Sequence, residues 1–337
     1  MNRRKIMATQ RRRAVSTAQD ELRGPDRAGS AAAKRAAQAP AVRPRRSPAR
    51  ADTQARITHP ERIVFPQLAA SKLDVARYYA AVAEWIMPEL RARPLSVLRC
   101  PDGMARACFF QKHLTANMGE HVRGVRIRDS TGSQDYLCID DAVGLLELVQ
   151  MNAIEFHPWG ALAQSPDRAD RIVFDLDPHA SVAWSDVVAG CALIRAHLES
   201  LGVTSFLRTS GGKGLHIVVP LKPSVPWKSV RAFARGVAEA LATRHPDRFV
   251  SVAGEDKRSD RIFIDWLRNA RGATSIASYS LRARSDAGVA MPLAWPNLAK
   301  LESAHAFSIT NAMAHTRRRR SDPWHDIDRI EQGLPRT

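Results

Sequence analysis

The chain has 337 residues, a formal net charge of +17 and an apolar fraction of 45%, which is enough for a sizeable core. No run of about 18 apolar residues occurs, and the N terminus lacks the apolar stretch of a secretory signal. These features argue against membrane-spanning and secreted proteins, and they predict a cytoplasmic protein without a membrane partner.

Much of the positive charge lies at the N-terminal end. Residues 1–50 contain fourteen Lys and Arg against three acids, a net of +11, so the remaining residues carry only +6. We predict that residues 1–55 form a disordered basic arm and that residues 56–330 form the globular domain. Such an arm would bind nucleic acid weakly and in a salt-sensitive way. A solvated extension without a role in catalysis is the alternative.

The cysteines carry no recognisable motif. Cys100, Cys108, Cys138 and Cys191 form no CxxC pair, and no Cys/His cluster has zinc spacing. Free cysteines are among the most buried residue types in proteins. We therefore predict four reduced thiols, most of them buried.

The first half of the globular part contains two helical patterns. Apolar spacing over residues 71–86 predicts a helix that begins at a serine cap and is ended by Pro88. Residues 140–152 also have helical spacing. Residues 94–100 are typical of a short strand, whereas residues 109–116 fit neither structure clearly.

The second half alternates strands and helices, which predicts an α+β or mixed α/β fold around a central sheet. Gly202 marks the end of one helix. The predicted strands cover residues 171–177, 205–209, 215–220 and 261–266, and the predicted helices cover residues 182–201 and 226–244.

Two of these strands carry carboxylates. Asp175 and Asp177 lie two residues apart in an apolar strand, so both side chains should point to the same face. Asp265 lies inside the last predicted strand, where a buried carboxylate is costly unless it is paired or binds a metal. Three carboxylates on adjacent strands would suit two Mg²⁺ or Mn²⁺ ions. Ordinary strand-end acids, and an ion pair of Asp265 with Arg268 or Arg271, are the alternatives.

A glycine-rich segment, Thr209–His216, links two predicted strands. Its three glycines permit close approach of a ligand, and Ser210, Lys213 and His216 are donors suited to phosphate oxygens. The spacing is not that of a Walker A loop, and a strand follows it instead of a helix. A plain hairpin turn with a solvated lysine and a core histidine is the alternative.

Two arginines complete the set of candidate residues. Arg282 and Arg284 alternate within Tyr279–Arg284, which we interpret as extended, so both guanidiniums should lie on one face. Paired guanidiniums match a polyphosphate in forked geometry, although a surface pair of arginines is the alternative. Together, the acids, the glycine-rich loop and the arginines suit phosphoryl or nucleotidyl transfer, because positioning and charge neutralisation supply most of the catalysis.

These segments resemble the polymerase domain of bacterial DNA ligase D, in the archaeo-eukaryotic primase superfamily. The resemblance runs from about Ile57 to Trp324. It implies a primase-polymerase fold of the α+β class, with mostly antiparallel sheets flanked by helices in two closely packed lobes, at about 56–165 and 166–300. The matching segments are Arg93–Leu95, Arg99–Gly103, Phe109–His113, Glu155–Gly160, Asp175–Pro178, Thr209–His216, Phe263–Asp265 and Tyr279–Arg284.

The resemblance implies a role for each candidate in the catalytic core. Asp175, Asp177 and Asp265 would hold two divalent ions, with Mn²⁺ preferred over Mg²⁺. The substrate would be an NTP or a dNTP. The residues implied in binding it are Ser210, Lys213, His216, Arg268, Arg282, Arg284, Lys112 and His157.

The same resemblance implies contacts with DNA. Arg62, where the family usually has lysine, and Lys72 would bind a DNA 5′-phosphate, and Phe109 or Phe110 would stack on a base. The implied function is a DNA-end-repair polymerase in non-homologous end joining, acting at gaps and double-strand breaks beside Ku and a separate DNA ligase. A primer-synthesising primase, a non-catalytic DNA-end-binding module and a metal-dependent nuclease are the alternatives.

The chain also departs from the ligase D pattern. No Lys-x-Asp-Gly motif of ATP-dependent ligases occurs, so we expect no sealing activity, and the chain offers no room for a separate phosphoesterase domain. Trp295–Asn297 replaces the acidic pair that the family usually has after this tryptophan. That change concerns a surface contact and not the metal ligands.

Overall fold

The computed structural model describes residues 56–254, 257–319 and 321–335. They belong to one compact unit with limits at Asp52 and Thr337. The predicted basic arm, residues 1–55, lies outside the described residues. Within the described ranges, no helix combines the length and the apolar character needed to cross a membrane.

The described part of the chain contains thirteen strands and five α-helices. The strands are β1 (Ile63–Phe65), β2 (Ala70–Ser71), β3 (Leu95–Arg99), β4 (Phe109–Gln111), β5 (Val122–Asp129), β6 (Gly132–Ile139), β7 (Ala153–Pro158), β8 (Arg168–Pro178), β9 (Phe206–Thr209), β10 (Leu215–Pro226), β11 (Phe249–Val250), β12 (Ile262–Asp265) and β13 (Pro292–Leu293). The helices are α1 (Lys72–Leu90), α2 (Ala142–Gln150), α3 (Trp184–Ser200), α4 (Trp227–Arg244) and α5 (Ala312–Arg317).

A six-stranded sheet in the order β11-β12-β8-β10-β9-β13 forms the second lobe, and its pairs are antiparallel except β11 with β12. Side chains alternate between its faces, so Ile172, Phe174 and Leu176 of β8 join the core, while Asp175 and Asp177 share the opposite direction. Helices α3 and α4 contact this sheet.

A second sheet forms the first lobe. Its strands run in the order β4-β3-β6-β5, and β7 also pairs with β3. Helices α1 and α2 contact each other, and both contact β7. One continuous apolar core includes buried residues of both sheets, for example Val97 of β3 and Ile217 of β10. The expected α+β fold with mostly antiparallel sheets and flanking helices is confirmed.

Helix α1 begins as the sequence predicts but ends later. Ser71 accepts a hydrogen bond from the backbone N–H of Asp74, and Asp74 bonds back to Ser71, which completes a capping box. The prediction that Pro88 ends the helix is wrong, because the helix continues to Leu90. Pro88 lies in the last turn, so it removes only one helical hydrogen bond, and the burial of Glu89 and Leu90 stabilises that turn.

The remaining predicted helices and strands are present, most with small shifts at their ends, whereas β10 continues to Pro226, well past its predicted end at residue 220. The ambiguous stretch 109–116 contributes the short strand β4. The interpretation of Tyr279–Arg284 as extended is wrong. Tyr279 has a φ of 65°, and the N–H of Arg284 donates to the carbonyl of Arg282 at 2.8 Å, so the segment is a series of turns.

The prediction of four reduced thiols is also wrong. Cys100 and Cys108 form a disulfide, with their Cα atoms 4.4 Å apart, whereas Cys138 and Cys191 are free and buried. The antiparallel pairing of β3 with β4 brings the first two together, and no short motif in the sequence reports that pairing.

Candidate active site

Four neighbouring strands place charged side chains in one row across the large sheet. Asp265 of β12 is opposite Asp175 of β8, and Asp175 is opposite His216 of β10. His216 is in turn opposite Arg208 of β9. The strand register therefore puts two of the three predicted carboxylates directly beside each other and beside the predicted histidine.

Asp177 lies two residues further along β8, and basic side chains surround it. Lys213 of the glycine-rich loop contacts one carboxylate oxygen at 2.7 Å, and Arg258 donates to the other. Arg258 was missed by the sequence analysis. It lies in the loop before β12, where an arginine in an arginine-rich chain carries no distinguishing signal.

Arg268 joins the other two carboxylates. Its Nε lies 3.6 Å from Asp175 and 3.5 Å from Asp265. Of the two ion-pair partners considered for Asp265, Arg268 is therefore in contact, while Arg271 pairs with Asp167 at 2.6 Å.

The carboxylates respond differently to this environment. Burial raises the pKa of Asp265, and the negative charges of Asp175 and Asp177 raise it further. Burial also acts to raise the pKa of Asp175, but the contact with His216 and the charge of Arg268 outweigh it and lower the pKa to about 2.

The donor set suits a hard divalent cation. Carboxylate oxygens are the ligands that Mg²⁺ and Mn²⁺ prefer, and the mutual repulsion of these three acids is the kind that a cation relieves. In the described ranges, no group of three or more His, Cys, Asp or Glu side chains is arranged so that it could hold a metal ion as it stands. Each carboxylate is paired instead with Lys, Arg or His.

The glycine-rich loop is organised around its own serine. The Oγ of Ser210 accepts hydrogen bonds from the N–H groups of Gly212 and Gly214, both at 3.2 Å, and the residue is buried. A Cβ at Gly214 would lie 1.9 Å from the carbonyl oxygen of Leu176, so the strand β8 and the loop can meet this closely only at a glycine. Ser210 therefore shapes the loop that presents Lys213.

Both predicted arginines lie against this loop, although their segment is not extended. Arg282 donates to the carbonyl of Ser210 at 3.2 Å and contacts Glu155 at 3.3 Å. A guanidinium nitrogen of Arg284 would be 4.0 Å from a Cβ at Gly212. The turns after Tyr279 thus bring both arginines to the glycine-rich loop without the extended strand that the sequence predicted.

Glu155 connects this loop to the smaller sheet. It accepts from the N–H of Ala283 at 2.7 Å, and its other oxygen lies 2.8 Å from Nε2 of His157. The ring of His157 contacts the ring of Phe110 with centroids 5.3 Å apart. Burial lowers the pKa of His157, although Glu155 pulls it upward. Glu155 was missed, yet its two-residue spacing from His157 on one strand was an available signal.

The two predicted stacking residues are exposed. Phe109 and Phe110 have 47% and 59% of their surface accessible, which is unusual for large apolar side chains in adjacent positions. Lys112, just after them, lies over the ring of Tyr136 at 5.8 Å. No contact among the described residues joins Lys112 to the carboxylate row.

Arg62 and Lys72 are neighbours, as a shared phosphate site requires. The backbone N–H of Lys72 donates to the carbonyl of Arg62 at 2.7 Å. Burial, together with the charge of Arg62, lowers the pKa of Lys72, whose ammonium donates to Thr58 and Gln150 at 3.1 and 3.0 Å. The guanidinium of Arg62 donates to the carbonyl of Pro101 at 2.7 Å.

A buried ionic network lies behind the row and was also missed. Arg208 is 2% exposed, and its Nη1 contacts Glu89 of α1 at 3.0 Å. Arg171 contacts the other oxygen of Glu89 at 3.3 Å. Arginines inside otherwise apolar strands were the available signal, because a buried guanidinium needs a partner.

Comparisons with known proteins identify the family of this chain. The model of the family described as LigD, primase-polymerase domain, matches residues 71–324. The chain is 37% identical over 280 residues to the multifunctional non-homologous end joining protein LigD of Pseudomonas aeruginosa, covering 83% of this chain and 33% of that protein. It is 28% identical over 277 residues to the bifunctional non-homologous end joining protein LigD of Bacillus subtilis, covering 82% and 44%.

A solved structure is similar over the same region. It is the polymerase domain from Mycobacterium tuberculosis ligase D in complex with DNA, with a TM-score of 0.77 and 29% identity, covering 83% of this chain and 100% of that chain. The chain spans about a third of the length of the Pseudomonas relative and less than half of that of the Bacillus relative. The match of the family model to most of the chain confirms the resemblance found in the sequence, and the chain belongs to the LigD primase-polymerase domain family.

Proposed function

We propose that this chain is a DNA-end-repair polymerase that adds ribonucleotides or deoxyribonucleotides to a primer 3′-OH at gaps and double-strand breaks. The main support for this proposal is the row of Asp265, Asp175 and His216 on three paired strands beside the loop of Ser210. The relatives whose names include non-homologous end joining, and the DNA-bound structural neighbour, support the choice of substrate and pathway.

Asp175, Asp177 and Asp265 would hold two divalent ions, Mn²⁺ or Mg²⁺. When bound, such ions would activate the attacking hydroxyl and neutralise charge on the reacting phosphate. The protein's own task is to keep the three carboxylates ionised and close together. Asp175 is suited to this, because its basic neighbours lower its pKa to about 2.

The glycine-rich loop and its arginines would bind the triphosphate. Lys213 is more than half exposed, so its pairing with Asp177 costs little to break and its ammonium can turn to a phosphate oxygen. Arg282, Arg284 and Arg268 supply further guanidiniums around the same loop and carboxylates. Their positive charges would stabilise the charge that develops on the leaving pyrophosphate.

The smaller sheet would form the side of the site that contacts the base and the sugar of the nucleotide. His157 and Lys112 are the implied nucleotide contacts there, and Glu155 fixes the ring of His157 by a 2.8 Å contact. The exposed rings of Phe109 and Phe110 would stack on a base, since stacking on aromatic side chains is tolerant of base identity.

The DNA end would be recognised by Arg62 and Lys72, which are adjacent and basic. A 5′-phosphate would offer both residues hydrogen bonds to a charged acceptor, which are stronger than those that the Lys72 ammonium makes with the uncharged oxygens of Thr58 and Gln150. We further propose that the chain works in the cytoplasm on nucleoid DNA with Ku. We also propose that a separate DNA ligase seals the ends that this chain extends.

The test is primer extension on a gapped duplex that carries a 5′-phosphate, with Mn²⁺ or Mg²⁺ and with NTPs or dNTPs in parallel. We expect template-directed addition by the wild type and none by Asp175→Ala, with DNA binding largely retained. Lys300→Ala, an exposed change in the same lobe, is the control and should extend normally.

Other outcomes would favour the alternatives. Products on an unprimed single strand would indicate a primase. Binding that depends on the 5′-phosphate without any extension would indicate an end-binding module, and loss of labelled DNA without added nucleotides would indicate a nuclease.

A further inference from the structure

The strand that carries the two exposed phenylalanines is short and lies at the edge of its sheet. Within the described residues β4 pairs with β3, through residues 97–99 and 109–111. The segment that follows β4 bonds to β6, where the N–H of Leu137 donates to the carbonyl of Lys112 at 2.9 Å. Phe109 and Phe110 are both exposed, so this strand gains little from apolar burial. Side-chain support comes from Arg99, which donates to Gln111 at 2.5 Å and lies over the ring of Phe109. The ring of His157 also contacts that of Phe110.

The disulfide closes this hairpin at its base. Cys100 directly follows β3, Cys108 directly precedes β4, and their Cα atoms are 4.4 Å apart. That spacing is typical of a directly opposed pair without mutual hydrogen bonds in antiparallel strands. The disulfide therefore adds a covalent link where the strand pairing ends.

The loop between the two cysteines reaches the other proposed DNA contact. The carbonyl of Pro101 accepts the guanidinium of Arg62 at 2.7 Å, and the N–H of Met104 donates to Val64 at 2.9 Å. Gly103 packs so closely on this segment that a Cβ would lie 2.6 Å from the carbonyl oxygen of Ile63. The cross-linked loop thus supports Arg62 on one side and leads into Phe109 on the other.

We propose that Cys100 and Cys108 are a reversible thiol-oxidation site that takes peroxide as its oxidant and sets the affinity for DNA ends. Only the effect on DNA affinity rests on the proposed function; the oxidation of the two cysteines does not. In the disulfide form the hairpin and the loop under Arg62 are held together. In the dithiol form the hairpin keeps its strand pairing and side-chain contacts but loses the covalent link at its base, so its exposed rings are less firmly placed.

The chemistry uses the exposure of the two sulfurs. Cys108 is partly exposed and Cys100 is fully buried, so peroxide meets the Cys108 thiol first. Its sulfur is oxidised to a sulfenic acid with release of one water, and the Cys100 thiol then attacks that sulfur, forming the S–S bond and releasing a second water. Two thiols lose two electrons and two protons in total, and one peroxide is reduced to two waters.

We expect the oxidation to be reversible because of the cellular compartment that we propose for the protein. Disulfides in compartments that hold DNA are usually transient and redox-sensing, because thiol reductants act there. A reducing dithiol can attack the partly exposed Cys108 sulfur, which returns both residues to thiols.

The first measurement counts thiols by alkylation and mass spectrometry after denaturation. Reduced wild type should label four cysteines, and peroxide-treated wild type should label two. Cys191→Ala removes a free buried thiol far along the chain, so its number of labelled cysteines should fall from three to one on peroxide treatment. Cys108→Ala should label three in both states. Four labelled cysteines in peroxide-treated wild type would overturn the oxidation site.

The second measurement compares DNA affinity of the same samples, by anisotropy with a gapped duplex that carries a 5′-phosphate. Oxidised wild type and Cys191→Ala should bind about three- to tenfold more tightly than their reduced forms, because oxidation raises the fraction of binding-competent hairpin. Cys108→Ala should show no difference between treatments. Equal affinity of the two wild-type states, with the disulfide shown to form, would overturn the coupling.

Binding to neither state would overturn the proposed function and the coupling together. The thiol count does not depend on DNA, so it still decides whether the oxidation site exists. The two failures are therefore distinguishable.

Discussion

Arg208 and His216 lie side by side on paired strands, with Nε of the guanidinium 3.3 Å from Nδ1 of the imidazole. A guanidinium only donates, so Nδ1 must accept, and the proton of the neutral ring is on Nε2. Nε2 lies 3.3 Å from a carboxylate oxygen of Asp175. Arg208 therefore selects the tautomer that directs a donor at Asp175.

Arg208→Lys should disturb that tautomer while it keeps the charge. The lysine lacks the Nε donor, so we expect a mixture of imidazole tautomers and a loss of nucleotide addition of about 10–100-fold, the usual cost of losing such a supporting contact. Nitrogen-15 NMR of histidine-labelled protein without metal would report the tautomer, and steady-state kinetics would report addition.

Arg171→Lys is the matched control for this prediction, because Arg171 shares Glu89 with Arg208 but has no contact with His216 among the described residues. It should keep a single tautomer. Equal losses in both variants, without a change of tautomer in Arg208→Lys, would show that Arg208 acts only through stability.

Glu89→Gln should destabilise the fold strongly. The change keeps the shape of the side chain but leaves Arg208 and Arg171 buried without a counter-charge, which typically costs about 3–5 kcal/mol. Urea unfolding would measure the free energy. Glu84→Gln, an exposed change on the same helix, should stay within about 0.5 kcal/mol of the wild type.

The same glutamate predicts a pH dependence of stability. Burial acts to raise the pKa of Glu89, but Arg208 and Arg171 outweigh it, and the folded pKa lies below the ordinary value of 4.5. The stabilising contribution is thus complete above pH 4.5 and is lost as the pH falls through the lower folded pKa. Urea titrations at a series of acidic pH values should show a smaller acid-dependent loss in Glu89→Gln than in the wild type.

Gly214→Ala should damage the loop that presents Lys213. A Cβ there would lie 1.9 Å from the carbonyl oxygen of Leu176, so the loop must move away from β8, at a cost of about 1–3 kcal/mol and with loss of primer extension. Denaturation and extension assays would check both effects. Gly236→Ala, where nothing lies within 4 Å, should instead stabilise α4 by about 1 kcal/mol and extend normally.

Lys72→Gln should weaken recognition of a 5′-phosphate. Losing one charge-assisted hydrogen bond should lower the preference for 5′-phosphate over 5′-hydroxyl DNA by roughly ten- to a hundredfold. Paired anisotropy titrations of the two DNAs would measure it, with Arg62→Gln as a second variant. Lys300→Gln should keep the wild-type preference, and an unchanged preference in both Lys72→Gln and Arg62→Gln would move the phosphate site elsewhere.

The sequence by itself determined the features that depend on residues close together in the chain. The two-residue spacing of Asp175 and Asp177 assigns both to one side of β8, because side chains alternate along a strand. Ser71 and Asp74 cap α1 through bonds that span three residues. The ordered motifs were also sufficient to recognise the family.

Only the tertiary structure decided which of these local features meet. Asp265 faces Asp175 because of the register of β12 on β8, and a shift of one residue would turn it to the other side of the sheet. Glu89 reaches Arg208 across 119 positions of sequence. Such contacts depend on how whole strands and helices pack to bury their apolar faces, and that packing is not encoded in any short segment.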